Sequence, residues 1–472
     1  MKITVPFIHS LRLNVGELVD WIVRQAEQIL ALVGERDALR AELAQTNQHR
    51  VQREQKLEET ARQAFRQAAP FRLPESRRQG CPRRPGRPKG HPGSYRPRPT
   101  RIDQHLKVLL EQCPHCQEAV QKVRDRKQSL EEIPPVQPLN IELITQAGYC
   151  PRCDREVRST HPLQVSLAEG AAGVQLGPNA LAIAVELNKV KGLSMRKTCA
   201  TLQTLFGLKL SPGGLAQALA RVARKMKGSY EQLIEQLRQA SVVHADETRG
   251  WVGGPGYWLW VFTNADTTVY VVAASRGRPV VQGVLGADFP GVLVSDCLSI
   301  YDDATPVQHK CYSHHLVAVK EAREEHPQQG EGYLLEVRAL LHTALFFKAL
   351  GADPTTPRYQ QCVARLEQRA DQLLNPPRAQ AQEERVRRRL WKQRDHLFTF
   401  LKYRPVEATN NRAERQLRPA VMARKISCGN KTDPGAATWQ ILTSLAVTAA
   451  QAGKSFAAEV RAAVRLAPSG GP

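Results

Sequence analysis

The sequence predicts a multidomain α+β protein, with helical and basic segments ahead of a core of short strands. Three observations carry that class: a heptad-patterned start that gives way to a Pro/Arg-rich stretch, two C-x-x-C pairs, and a change from helical to strand periodicity near residue 241. At 472 residues the chain is long enough for several domains. Its 67 Lys+Arg against 45 Asp+Glu give a formal charge of +22. So large an excess favours polyanionic partners, nucleic acid first, and says nothing about fold. Four of the ten cysteines fall in the two pairs and the rest are scattered. That pattern predicts a reducing cytoplasm rather than a secreted disulfide framework. The opening "MKITVPFIHS" lacks the apolar stretch of a signal peptide, and no apolar run approaches the roughly 20 residues of a membrane span. A membrane is therefore not an expected partner.

Residues 1–70 read as a leucine-zipper-like coiled coil. Leu11, Leu18, Leu32 and Leu39 recur every seven, with Val15, Ile22, Ile29 and Leu43 between them; only Gln25 and Arg36 break the seam. The functional reading is self-association into a homo-oligomer. The alternative is an amphipathic helix packed on its own protein, and Gly16 and Gly34 weaken a long rod. Residues 71–102 follow as a basic linker. From 72 to 101 there are seven prolines, ten Lys/Arg and one acid, Glu75, so nothing there can bury a core. Arg83, Arg84, Arg87 and Lys89 alternate with prolines in an extended chain that can follow a narrow minor groove, or can touch phosphates without preference.

Residues 103–165 are expected to form a zinc-binding module. Cys113–Cys116 and Cys150–Cys153 each form a C-x-x-C turn that points two thiolates at one place, and together they complete a tetrahedral four-sulfur set. Four thiolates leave no open position, so this Zn²⁺ is structural. Residues 166–240 read as a helical DNA-binding region. Ser194 can cap a helix that Gly207 ends, and Ser211-Pro212 can cap and open the next, running to about Lys227. That punctuation fits a helix-turn-helix whose second helix enters a major groove, and equally a helical hairpin that packs internally.

Residues 241–330 change to strand patterning. "SVVHADE" ends an apolar run at Asp246; "YWLWVFTN" and "TTVYVVAAS" follow around a turn near Ala265-Asp266; "GVLVSD" ends at Asp296. Adjacent strands would set Asp246 and Asp296 side by side. Two such acids repel each other and lose solvation unless a cation joins them, and hard oxygen ligands suit Mg²⁺ or Mn²⁺. Two ions about 3.5–4 Å apart, held by three carboxylates, can activate and stabilise the two oxygens of a phosphodiester displacement. A third acid is thus expected. Glu414, in "TNNRAERQLRP" among Arg412, Arg415 and Arg418, opens a helix that can supply it, with the arginines placed for DNA phosphates. Residues 331–404 are rich in helix formers and read as a helical insertion before the last part of the core, 405–472. Cys311 and His314 have C-x-x-H spacing and could support the active site. A packed Cys and a surface His are equally consistent, and the pair is not assigned as zinc ligands.

"DET" (Asp246 to Thr248), "YWLWVFT" (Tyr257 to Thr263), "GVLVSD", "TNNRAERQLRP" and "RKISCGN" (Arg424 to Asn430) resemble DDE transposases, most closely the insertion-sequence family numbered sixty-six. The resemblance runs over nearly the whole chain, with "NNRAER" its most diagnostic string. It implies an RNase H-like α/β catalytic core and places Asp246, Asp296 and Glu414 on the family's three metal-binding acids. The implied activity is metal-dependent cleavage at the terminal inverted repeats of a transposable element. The freed 3′-hydroxyl then attacks target DNA with no covalent protein intermediate. The implied setting is a prokaryotic cytoplasm, nucleoid-associated when bound to double-stranded DNA, with accessory proteins of the element as possible partners. Cys297 stands where the family usually has a small residue, and Tyr312, Ser313 and His315 also depart from its pattern. The rival reading is a catalytically inactive DNA-binding regulator derived from a transposase; a nuclease that cuts without joining shares the same acids.

Overall fold

The computed structural model describes residues 99–167, 174–325 and 331–465, with nine single positions between 28 and 48. Contacts divide the chain into two units, Met1–Glu131 and Glu132–Pro472. Most of the heptad segment and the basic residues Arg83, Arg84, Arg87 and Lys89 lie outside the described residues. The nine single positions are helical, and Leu32, Leu39 and Leu43 among them are exposed. In the described part of the first unit, Gln112 bridges Ala119 around the turn that holds Cys113 and Cys116.

The second unit begins with an antiparallel hairpin, β1 (Ala147–Cys150) and β2 (Arg155–Arg158). Helices α1 (Pro178–Val185), α2 (Met195–Phe206), α3 (Pro212–Lys225) and α4 (Lys227–Arg238) follow. Local chemistry sets their ends as the sequence predicts. Ser194 accepts the N–H of Lys197, Gly207 closes α2 at φ 67°, and Ser211 accepts the N–H of Gly214. The second helix ends at Lys225, close to the expected end, and α4 starts anew after Met226. The hairpin packs internally, one of the two readings left open for it. Leu215, Leu219 and Val222 of α3 enter the same core as Val243, Trp260 and Phe262 of the sheet.

That sheet holds β3 (Val242–Gly250), β4 (Tyr257–Thr263), β5 (Thr268–Ala273), β6 (Val292–Ser295) and β7 (Val307–Lys310), in the order β5-β4-β3-β6-β7. Strands β3, β4 and β5 are antiparallel neighbours, while β6 and β7 run parallel to β3. Helix α5 (Arg278–Leu285) makes the crossover into β6. Beyond β7 come α6 (Tyr312–Glu325), α7 (Glu331–Ala349), α8 (Pro357–Leu374), α9 (Ala381–Lys392) and the short α10 (Thr399–Lys402). The chain closes with α11 (Asn411–Ser427), α12 (Asp433–Gln451) and α13 (Phe456–Val464). The result is a mixed α/β unit with 13 α-helices among the described residues.

Both faces of the sheet are covered, which is why "YWLWVFT" is apolar throughout instead of alternating. Trp260 and Phe262 point into the core shared with α1–α4, while Leu259 and Val261 meet Ala413, Leu417 and Ala420 of α11. The period of two sorts the other strands the same way. Val243 and Leu293 join the first core; Val242, Val292 and Val294 face Tyr312, Phe400 and the helices between β7 and α11. The exposed edge is closed by a helix. Gln440, Ser444 and Thr448 of α12 accept the N–H groups of Val272, Tyr270 and Thr268 on β5. Four helical residues rise about 6 Å and two strand residues about 6.7 Å, so the two periods stay matched over three bonds and the edge is blunted.

Strand β6 can lie beside β3 only because position 291 has no side chain. A Cβ on Gly291 would stand 2.3 Å from the Ala240 carbonyl oxygen and 2.6 Å from Phe289. Gly291→Ala is expected to destabilise the unit that holds the five-stranded sheet by about 1–3 kcal/mol or more, read as a lower first unfolding transition in calorimetry. An unchanged transition would mean that β6 is seated differently.

Candidate functional site

The pairing of β3 with β6 positions the first two acids. Val242, Val243 and His244 pair with Val292, Leu293 and Val294, a constant offset of 50 that, carried forward, sets Asp246 opposite Asp296. The sequence expectation that Asp246 ends its strand is corrected here. Strand β3 runs on to Gly250 against β4, and only the parallel ladder with β6 stops at His244. β6 leaves at Ser295 and opens a gap beside a strand that continues. Strand β7 was not legible in "VQHK", because its Gln308, His309 and Lys310 are buried polar residues. It extends the same row: Ser295 pairs with Lys310, and the Cys311 N–H donates to the Ser295 carbonyl at 2.9 Å. Asp246, Asp296 and Cys311 therefore fall in one row on one face, Asp246 inside β3 and Asp296 and Cys311 just past the ends of β6 and β7.

Glu414 arrives on the first turn of α11, which packs over β3 and β4 on that face. Asn410, fully buried just before the helix, fixes the approach. Its side-chain amide donates to the Ala245 carbonyl at 2.8 Å, and its backbone N–H donates to Cys311 Sγ at 3.2 Å. Its carbonyl accepts the Glu414 N–H at 3.2 Å. With the amide nitrogen so committed, Oδ1 must accept, and His244 Nδ1 at 3.3 Å is the donor. Burial pushes His244 down to about 4, so the ring is neutral and carries that proton. No such role is visible in "TNNRAER" alone, because the partners lie 99 to 166 positions away.

The electrostatics match the geometry. Burial pushes the Asp246 carboxyl up to about 7; an N–H bond from Glu247 opposes this, and the charges of Glu247, Asp296 and Glu414 add to it. Among the described residues none of Asp246, Asp296 and Glu414 forms an ion pair. Asp246 accepts only the N–H of Glu247, at 2.9 Å, and Asp296 only that of Leu298, at 3.0 Å. Oxygen-only donors, partly buried and without an ion pair among the described residues, fit a hard divalent cation. The neighbouring acid Glu247 points to the other face of β3. There the Arg276 guanidinium binds it at 2.8 Å and the Tyr301 hydroxyl donates to it, so it is neutralised and outside the site.

Cys311, His314 and Glu414 are brought together more closely than the sequence predicts, with one ligand atom from each within 4.8 Å of the other two. Burial raises the Cys311 thiol, but hydrogen bonds from His314 and the Asn410 N–H outweigh that and leave it below its ordinary value. His314 is raised, chiefly by its bond to Cys311. The departures Cys297 and His315 lie against each other, Sγ to Nε2 at 3.6 Å. The three arginines part company. Arg412 is committed to Glu407 through Nε at 3.1 Å and Nη2, and to the Asn264 carbonyl, so it braces the start of α11. Arg415 and Arg418 are exposed. None of the three forms an ion pair with Glu414 among the described residues, so a salt-bridged helix face does not explain that carboxylate.

Each cysteine pair is a tight turn. Around Cys113 the Gln117 N–H returns to the Cys113 carbonyl, and the N–H groups of His115 and Cys116 lower the Cys113 thiol. At the tip of the β1–β2 hairpin the Cys153 N–H and thiol do the same for Cys150. N–H groups turned toward sulfur are the local geometry in which thiolates become ligands.

Residues 173–438 match the sequence pattern of the Transposase IS66 family. The match takes in α1–α11, the whole five-stranded sheet and Asp246, Asp296, Cys311, His314, Asn410 and Glu414, but neither cysteine pair. Because it covers more than half of the 472 residues, this chain belongs to the IS66 transposase family. No curated protein matches it. No helix among the described residues is long and apolar enough to cross a membrane.

Two outcomes follow from the site. A carboxyl raised in the folded state costs stability as pH climbs from its unfolded value near 4 to its folded value near 7, and the cost is constant above that. Without divalent cations, Asp246→Asn should flatten the stability profile over pH 4–7 and exceed the parent at pH 7 by on the order of 1–3 kcal/mol, measured by denaturant titration. Asn410→Ala should destabilise by about 2–4 kcal/mol, since it strands the buried Ala245 carbonyl and the His244 donor. Hydrogen exchange should locate the loosening at the N-terminal turn of α11.

Proposed function

We propose that the chain is a DNA transposase that cleaves the ends of its element and joins them to target DNA. Asp246, Asp296 and Glu414 are its catalytic acids. What supports this reading is that the charges of Asp296, just past β6, and of Glu414, on α11, bear on buried Asp246 of β3, with no ion pair to any of the three among the described residues, inside the stretch that matches a transposase family. The sheet, three antiparallel strands followed by two parallel ones with acids at the first and fourth in sequence, supports an RNase H-like core. Residues 331–404 are its helical insertion.

The three carboxylates would hold Mg²⁺ or Mn²⁺, which when bound activates the attacking oxygen and stabilises the leaving oxygen of a phosphodiester. The rest falls to the protein. Asn410 sets the depth and direction of Glu414, and the β3–β6 register sets Asp246 against Asp296. Exposed Arg415 and Arg418, one residue and one turn beyond Glu414, receive backbone phosphates. The basic stretch with Arg83, Arg84, Arg87 and Lys89 adds sequence-independent, salt-sensitive affinity. The exposed side of the α2–α3 hairpin contributes to recognition of the terminal repeats, the heptad segment pairs subunits, and Cys113, Cys116, Cys150 and Cys153 are ligands of structural zinc.

The test is Mg²⁺- or Mn²⁺-dependent cleavage and joining of a labelled element-end duplex, supplied both intact and pre-cut, with any accessory protein of the element present. Metal-dependent cut and joined strands are expected, falling by at least about a hundredfold in Glu414→Gln. Cutting without joining on the pre-cut end would make the chain a nuclease. Equal DNA binding by parent and variant with no product from either would make it a regulator. Arg415→Ala with Arg418→Ala should weaken duplex binding and flatten its salt dependence by about two unit charges.

A further inference from the structure

Cys311, His314 and Glu414 form a cluster that the acid set does not account for. Their donor atoms lie within 4.8 Å of one another. A tetrahedral zinc site, with bonds of about 2.0–2.3 Å, needs its ligand atoms roughly 3.3–3.8 Å apart, so a small closing movement suffices. The cluster is built rather than accidental. Cys311 is fully buried and continues the β7 ladder, its sulfur accepts the Asn410 N–H at 3.2 Å, and Asn410 in turn starts the helix that carries Glu414. One outer group thus orients two of the three donors, as in built metal sites. A second observation is independent of that packing: His314 Nδ1 is buried with no hydrogen-bond partner. A buried imidazole nitrogen left without a partner calls for an explanation, and a ligand held by this ring is one.

We propose that Cys311, His314 and Glu414 form a site for a thiophilic divalent cation of the zinc class, distinct from the oxygen-only pair Asp246 and Asp296. One thiolate, one neutral imidazole and one carboxylate balance a doubly charged ion. Sulfur and nitrogen donors select Zn²⁺ or Co²⁺ over Mg²⁺. Three protein ligands leave a fourth position open for water or a phosphate oxygen, unlike a closed four-cysteine set. Glu414 has two oxygens, so the ion would sit beside the acid pair and draw on its third carboxylate. The site stands whether or not those acids turn over DNA.

The experiment is zinc and cobalt titration of the full chain after chelator stripping, with metal content counted per chain and Co²⁺ absorption recorded. The parent is expected to bind one equivalent more than Cys311→Ser and His314→Ala. The parent-minus-Cys311→Ser cobalt spectrum should show a single-thiolate charge-transfer band. Glu414→Gln, close to isosteric, should lower the affinity of that equivalent at least tenfold while leaving the remaining zinc untouched. If Cys311→Ser fails to fold, judged by circular dichroism, His314→Ala and Glu414→Gln decide. Unchanged stoichiometry and cobalt spectrum in the folded variants overturn the proposal, as does a loss confined to Cys311→Ser. The readout is ion binding, so an inactive protein gives the same answer and a failed cleavage assay leaves this result intact.

Discussion

The site depends on one buried amide. Asn410 joins the end of the β3–β6 ladder, the β7–α6 junction and the first turn of α11 through its backbone N–H and carbonyl and both ends of its side-chain amide. Nothing else among the described contacts ties those three places together so directly. Because a half-satisfied buried polar network costs more than an apolar one, its geometry is all-or-nothing. Either Ala245, His244, Cys311 and Glu414 are held at once, or the helix loses its fixed entry. A long, separately packed helix can therefore deliver one carboxylate to a position defined by strands far away in sequence.

That precision is spent on an arrangement the protein alone does not favour. Burial penalises the charge of Asp246, the charges of Asp296 and Glu414 add to that, and among the described residues none of the three forms an ion pair. The fold supplies a direct partner elsewhere. Glu247, one residue along the same strand, is matched by Arg276, which also lies over Trp258 at 4.2 Å. The contrast between neighbours on opposite faces is what supports the proposed reading of the three acids as ligands of a cation.

What was legible in the sequence was local or periodic. Ser194, Gly207 and Ser211-Pro212 mark helix ends to the residue, because caps act within one turn. Asp246 and Asp296 were legible as acids closing apolar runs. Glu414 became meaningful only beside them, and the resemblance identified the string that holds it. Strand β7 was missed since a buried lysine and histidine break the apolar pattern, and their satisfaction comes from distant groups: Lys310 reaches Ser295 at 3.2 Å, and His309 faces the Ala408 carbonyl. Cys311 and His314 were read as support for the active site, without Glu414 as their neighbour. Their spacing is visible, but the third donor lies 103 positions beyond Cys311.

The helices between β7 and α11 follow the same logic of distant satisfaction. Their apolar residues share one core with Val242, Val292 and Val294, so they cover the site face of the sheet instead of hanging from it. On the opposite face their polar contacts meet at Asp302, which receives Lys392 at 2.7 Å and Gln393 at 3.0 Å while lying 3.8 Å from buried Lys310. Lys310 pairs in register with Ser295, the residue before Asp296. Lys392 of α9 and Lys310 of β7 thus meet on one carboxylate beside the end of β6. By these contacts the segment 331–404 is packed onto the strands that precede Asp296 and Cys311.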